Sequence, residues 1–231
     1  MIKIDHSDLA GKLGIHFKDI RFLQEAMTHR SFLNEHKDYK FNHNERLEFL
    51  GDAVLELVVT EYLYKNYKNP EGELTNWRAA LVNGEMLSKI GKKLEIEEYL
   101  LMSRGERKDT GKARQYLLAN AIEAIIGAIY LDSGYEAAKQ FIDKCVIVNL
   151  PEIIETKSYL DPKSYFQEKA QEHAQITPHY KVIKEWGQDH NRRFLVGVFL
   201  GNEKIAEEEG TSKQEAQRAA AAKALKVKKW E

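Results

Sequence analysis

From the N-terminus to about residue 150, apolar residues recur three and four positions apart with no convincing period-two run. This pattern predicts helix after helix. Beyond Pro151 the pattern changes. A helix-like SYFQEKAQEHA, apolar at Tyr165, Phe166 and Ala170, is followed by three alternating segments, HYKVIKEW, RRFLVGVFL and EKIAEEEG, separated by GQDHN and GN. These predict an antiparallel meander. Ser212 and Glu215 have capping-box spacing ahead of an alanine-rich run, so a helix closes the chain. The pattern divides the chain into an all-α domain over 1–153, a linker over 154–160 and a small α+β module of order α-β-β-β-α over 161–229. Pro70, Pro151, Pro162 and Pro178 fall where a helical or strand pattern stops.

With 231 residues, 43% of them hydrophobic, the chain can bury one or two modest cores. Lys and Arg number 35 against 36 Asp and Glu, for a net charge of -1, which excludes a uniformly basic nucleic-acid coat. The charge is unevenly spread: residues 1–157 carry 22 basic against 25 acidic groups, residues 158–231 carry 13 against 11. A single cysteine, Cys145, and no CxxC or Cys/His cluster point to a reducing, cytoplasmic setting without structural zinc. The first residues are polar and acidic, and the apolar run AIIGAIYL is far shorter than a span of about 20 residues, so no membrane association is expected.

The chemistry concentrates in NERLEFLGDAVLELVVTEYLY. Glu45, Glu48 and Asp52, at i, i+3 and i+7, fall within roughly a 60° arc of a helix. A solvated face is the ordinary explanation of such spacing. Here the acids sit among apolar residues rather than Lys or Arg at i+4, so no ion-pair ladder relieves their repulsion. Hard oxygen donors in this number suit Mg²⁺ or Mn²⁺. Glu56 continues the stripe one turn further and reads as structural. A second, mostly apolar run, QYLLANAIEAIIGAIYLDSGY, places Asn120 and Glu123 on one face, and polar groups on a buried helix need partners. A cation shared with the three acids, or a core Asn and a salt-bridged Glu, would equally supply them.

HNERLEFLGDAVLE closely resembles the signature of the ribonuclease III family, and LLANAIEAIIGAIYLD resembles its second acidic motif. AMTHRSFLNE, PEGELTNWRAALVNGEML and RGERKDTGKARQ extend the resemblance through nearly the whole chain. It implies an all-α endonuclease domain that hydrolyses double-stranded RNA with Mg²⁺, Mn²⁺ being able to substitute. The products implied have 5′-phosphate and 3′-hydroxyl ends with short 3′ overhangs, in processing of rRNA precursors and other structured RNAs. Glu48, Asp52 and Glu123 match the metal-binding and catalytic carboxylates, Asp52 and Glu123 being the expected indispensable pair, and Glu45 matches an auxiliary acid. Asn120 stands where the family usually has aspartate; its carbonyl oxygen can still ligate metal, with one negative charge fewer. The alternative reading is a duplex-binding protein that cleaves weakly or not at all because of Asn120.

The apolar side of the signature helix exceeds what one small bundle usually buries, and the resemblance implies a homodimer through this domain. GERKDTGKA has one residue too many for a phosphate-binding loop and Ala113 in place of Ser or Thr, so no nucleotide cofactor is expected. His29 and Ser31 suggest a nucleophile pair, but no third partner is identifiable, and a structural role is preferred.

The last 70 or so residues resemble the double-stranded RNA-binding domain, which reads A-form shape through 2′-hydroxyls and phosphates. By motif, Gln167, Gln171 and His190 map to minor-groove contacts and Lys213 to phosphate. Alanines 216, 219, 220 and 221 would let the final helix lie close to the sheet, above Phe194. Gln214 and Gln217 replace usual basic residues, Gln188 replaces a usual Pro, and Glu207 to Glu209 add repulsion, so weak binding by this module is expected.

Overall fold

Within residues 6–108, 110–188 and 191–230, which the computed structural model describes, the three- and four-residue periodicity becomes a succession of helices. They are α1 (His6–Leu13), α2 (Arg21–Ala26), α3 (Arg30–Glu35), α4 (Glu45–Asn66), α5 (Glu71–Val82), α6 (Gly84–Lys93), α7 (Arg104–Lys108), α8 (Lys112–Ser133), α9 (Tyr135–Cys145) and α10 (Leu150–Thr156). Short 3-10 turns lie at Ile96–Tyr99 and Ile147–Asn149. The centre of this unit is α8, buried on nearly every side between Leu117 and Ile129, with α2, α4, α6 and α9 packed around it. By length and composition α8 could also cross a bilayer, but 56% of its most apolar stretch is buried inside the protein. Glu45 and Glu48 occupy the first turn of α4, where the helix dipole favours negative charge.

The chain separates into two compact units, Met1–Tyr159 and Leu160–Glu231. Residues 154–159, expected to lie in a linker, instead end the first unit. Helix α10 runs to Thr156 with Ile153 buried, Ile154 packs on the core, and Tyr159 meets Trp77 edge to face. The prolines open elements rather than close them. Pro70 precedes α5, Pro151 and Pro162 lie in first turns, and Pro178 precedes the first strand, because a helix's first turn has no use for the missing N–H.

The second unit consists of α11 (Pro162–Ala174), β1 (His179–Trp186), β2 (Arg193–Leu200), β3 (Glu203–Gly210) and α12 (Lys213–Lys228). Its sheet is an antiparallel meander of order β1-β2-β3. Phe194, Val196, Val198 and Leu200 alternate inward from β2 toward Phe166, Ala170 and the alanines of α12. Ala216, Ala220, Ala221 and Ala224 are buried, while Ala219 is only half-buried. A Cβ on Gly210 would stand 2.5 Å from the Ala216 nitrogen, so α12 rests on the end of β3. Ser212 accepts the Glu215 N–H at 3.1 Å, and the Glu215 carboxylate reaches back to the Thr211 N–H at 2.8 Å. Trp230 stacks on both Phe166 and His173 of α11.

Candidate active site

Two glycines decide where the acids meet. A Cβ at Gly127 of α8 would lie 2.2 Å from the Leu47 carbonyl oxygen and 3.2 Å from the Gly51 nitrogen of α4. Only glycines permit this approach, and the helices touch backbone to backbone. The stripe carrying Glu48 and Asp52 is thereby set against the face carrying Asn120 and Glu123. The Asn120 amide donates a hydrogen bond to the Glu48 carboxylate, and Glu123 feels the charges of both Asp52 and Glu48. Among the described residues no salt bridge reaches Glu123, whose electrostatic neighbours are the acids of α4.

Burial and like charge act together there. Burial, then repulsion from Asp52 and Glu48, pushes the Glu123 carboxyl up to about 7. Glu48 is also raised, by burial first, with Glu45 and Asp52 adding to it and the Asn120 hydrogen bond opposing it. Among the described residues no ion pair relieves Glu48, Asp52 or Glu123. Glu45 differs: Arg30 approaches it at 3.7 Å and His43 at 3.7 Å. Glu56 pairs with Arg78 at 3.5 Å, which in turn donates to Thr60 at 2.9 Å; this agrees with a structural role.

The donor set suits a hard divalent cation: three carboxylates, of which Glu123 keeps its proton to about pH 7 through burial and like charge, and the side-chain amide of Asn120 beside Glu48. Among the described residues no group of three or more His, Cys, Asp and Glu is drawn close enough to hold an ion.

The Ribonuclease-III-like family pattern matches residues 19–150, and the double-stranded RNA binding motif matches residues 162–228. The chain is 44% identical over 219 residues to Ribonuclease 3 of a Nitratiruptor species, covering 94% of each chain. It is 40% identical to Ribonuclease 3 of Enterococcus faecalis, covering 95% of this chain and 96% of that one. The chain belongs to the ribonuclease III family. It is an endoribonuclease directed at double-stranded RNA, with the nuclease domain followed by the duplex-binding module. The nuclease domain of ribonuclease III from Campylobacter jejuni, at 44% identity, superposes with a TM-score of 0.57 over 64% of this chain and 99% of that one.

The other expectations for this chain fare unevenly. Gln167 and Gln171 stand exposed one turn apart on α11, and Lys213 is exposed at the start of α12. The Lys213 ammonium lies 5.6 Å from the centre of the Phe194 ring. His190 lies outside the described residues. His29 and Ser31 have no nucleophilic partner among the described contacts; His29 caps α3 instead. A groove of about 600 Å³ lies between the later turns of α4 and α5, lined by Tyr64, Tyr67, Lys68 and Arg78, away from Glu48, Asp52 and Glu123. Sequence reading missed Arg30 and His43 beside Glu45. It also passed over Gly51 and Gly127, although a glycine inside a helical pattern signals a close backbone approach.

Proposed function

We infer that the acids gathered by α4 and α8 hydrolyse the phosphodiester bonds of duplex RNA with Mg²⁺, Mn²⁺ being able to replace it. Glu48, Asp52, Glu123 and the Asn120 amide oxygen would hold the cation, and Glu45 would assist from the rim. A bound divalent cation supplies charge neutralisation at phosphate and lowers the pKa of an attacking water. The chain's own part is to place the donors before substrate arrives. Gly51 and Gly127 set the interhelical distance, Asn120 orients Glu48, and Asp52 and Glu48 keep Glu123 ready to release its proton to a neutralising charge. The products are 5′-phosphate and 3′-hydroxyl ends with short 3′ overhangs. The substrates are rRNA precursors and other structured RNAs in the cytoplasm.

A homodimer fits the outer face of α4. Phe49, Leu57 and Tyr64 are 82%, 58% and 77% exposed, a stripe of large apolar groups on one helix that a second copy would cover. The Campylobacter jejuni nuclease domain is described for flexibility in a region involved in its own dimer formation. In the second unit, Gln167, Gln171 and His190 serve the minor groove and Lys213 a phosphate.

The observation that carries this reading is the convergence of Glu48, Asp52, Asn120 and Glu123 at a glycine-to-glycine helix contact. The test is cleavage of a long perfect duplex with and without Mg²⁺, alongside Glu123→Gln. Short duplex products in Mg²⁺ only, and binding without cutting by the variant, are expected. An intact duplex with the unaltered chain in both Mg²⁺ and Mn²⁺ would refute it.

A further inference from the structure

The THRS segment is not used by the chemistry above, yet it touches two functional regions at once. Its Thr28 side is joined to the entrance of α4. The Thr28 carbonyl accepts the Asn44 N–H at 2.9 Å, and the buried Asn44 side chain donates to the Ala26 carbonyl at 3.2 Å. Asn44 immediately precedes Glu45, and its carbonyl accepts the Glu48 N–H at 2.9 Å. Arg30, on the other side of His29, approaches Glu45 itself.

His29 leads the other way. Its Nδ1 accepts the Ser31 N–H at 3.3 Å and lies 2.8 Å from the Ser31 hydroxyl. With a backbone donor on it, Nδ1 carries no proton, so the hydroxyl donates to it and the Ser31 oxygen is left as an acceptor. That oxygen takes the Ser103 N–H at 3.0 Å. The Ser103 hydroxyl in turn accepts the Glu106 N–H at 3.2 Å and so caps α7. Around this relay, the His29 N–H donates to the Leu101 carbonyl at 2.9 Å and the Leu101 N–H donates to the Met27 carbonyl at 2.8 Å. Glu35 accepts the Arg104 N–H. The segment so held presents exposed Arg104, Arg107 and Lys108, cations suited to phosphate.

We propose that His29 is a positioning residue for duplex cleavage: through Ser31 and Ser103 it fixes the basic 103–108 segment relative to the Glu45 end of α4, so that duplex phosphates and the carboxylate cleft are aligned. It does not touch the reacting atoms. The inference rests on the endonuclease reading for its consequence, but the relay itself is independent of it.

The test compares the full chain with His29→Ala, His29→Asn and Ser31→Ala, by amide hydrogen exchange across 101–108 and by cleavage kinetics on one duplex. Asn is an effective N-cap acceptor and preserves the bond to the Ser31 N–H. His29→Ala and Ser31→Ala should each speed exchange at Ser103 and Glu106 and raise KM about tenfold, with kcat within about threefold. His29→Asn should restore most of both. If His29→Ala is too unstable to assay, Ser31→Ala, which leaves the histidine in place, carries the same expectation. Unchanged exchange, an unchanged KM despite faster exchange, or a fall in kcat alone would overturn the proposal. Failure of the unaltered chain to cut would refute the endonuclease reading, while the exchange pattern still decides the relay.

Discussion

Gly51 of α4 and Glu123 of α8 meet through their backbones: a Cβ built on Gly51 would stand 1.8 Å from the Glu123 carbonyl oxygen. No rotamer can relieve a clash between a Cβ and a helix backbone. Gly51→Ala must therefore push α4 and α8 apart at the level of the acids. The expected loss is about 1–3 kcal/mol of stability and on the order of 100-fold in cleavage rate from misplaced donors. Gly72→Ala is the control, since Gly72 faces open space; it should leave cleavage unchanged. Equal behaviour of the two variants in thermal melts and cleavage assays would remove the glycine contact from the argument.

Glu123 links the site to pH. Its carboxyl titrates at about 7 in the folded chain against an ordinary value of 4.5, so the native state holds a proton that the unfolded chain gives up earlier. The contribution to stability is therefore greatest below pH 4.5 and is lost as pH rises to about 7. In Glu123→Gln this loss is absent. Without added metal, the variant should be more stable than the parent at pH 8, by on the order of 1–2 kcal/mol after discounting for solvent screening. The difference should vanish at pH 4. Mg²⁺ should narrow the gap at pH 8, because the parent gains binding energy that the variant has lost. Thermal melts at the two pH values, with EDTA and with Mg²⁺, measure both effects.

Most of the second unit was legible in sequence because its signals are local. Alternation set the strands to within one residue at Arg193, and Ser212 announced the cap of α12. The acids at 45, 48 and 52 were equally visible, since helical spacing alone places them on one stripe. Three features depended on tertiary packing and were not legible. The Arg30 and His43 neighbours of Glu45 come from the first residue of α3 and from the loop before α4. The helical end of the first unit at 150–156 was hidden by a proline that reads as a stop but serves as a first-turn residue. The buried Asn44, which ties α4 to the Thr28 strand-like bridge, looks in sequence like any loop asparagine.

Asn120 separates two electrostatic effects that usually move together. Asn120→Asp would add a negative charge beside Glu48 and remove the hydrogen bond that now holds the Glu48 pKa down. The metal-free protein should then melt lower at pH 8, because like charges crowd one cleft. Cleavage should reach half its maximum at a lower Mg²⁺ concentration, because a fourth carboxylate strengthens the hard-donor set. Titration of cleavage with Mg²⁺, beside melts in EDTA, reads both directions. An unchanged Mg²⁺ requirement would mean that the charge count at this position does not govern metal binding.

The duplex-binding module should hold RNA with a shallow dependence on salt, for a reason visible in its own contacts. Along α12, Arg218 is paired with Asp161 at 3.1 Å, Lys223 with Glu208 at 2.7 Å and Lys228 with Glu203 at 3.2 Å. Gln217, where a basic residue is usual, accepts from Lys163 at 2.8 Å. Cations already paired release fewer counterions when phosphate arrives, and each unpaired one lost lowers the log–log salt slope by about 1. Lys213 rests on the Phe194 ring rather than on a carboxylate. Lys213→Ala should therefore reduce both affinity and slope, whereas Lys228→Ala should reduce affinity little and the slope scarcely at all. Binding of one duplex by the cleavage-defective Glu123→Gln chain, with and without each change and across a salt series, separates these outcomes. Equal slope losses for the two lysines would show that the carboxylate partners release their cations to RNA without cost.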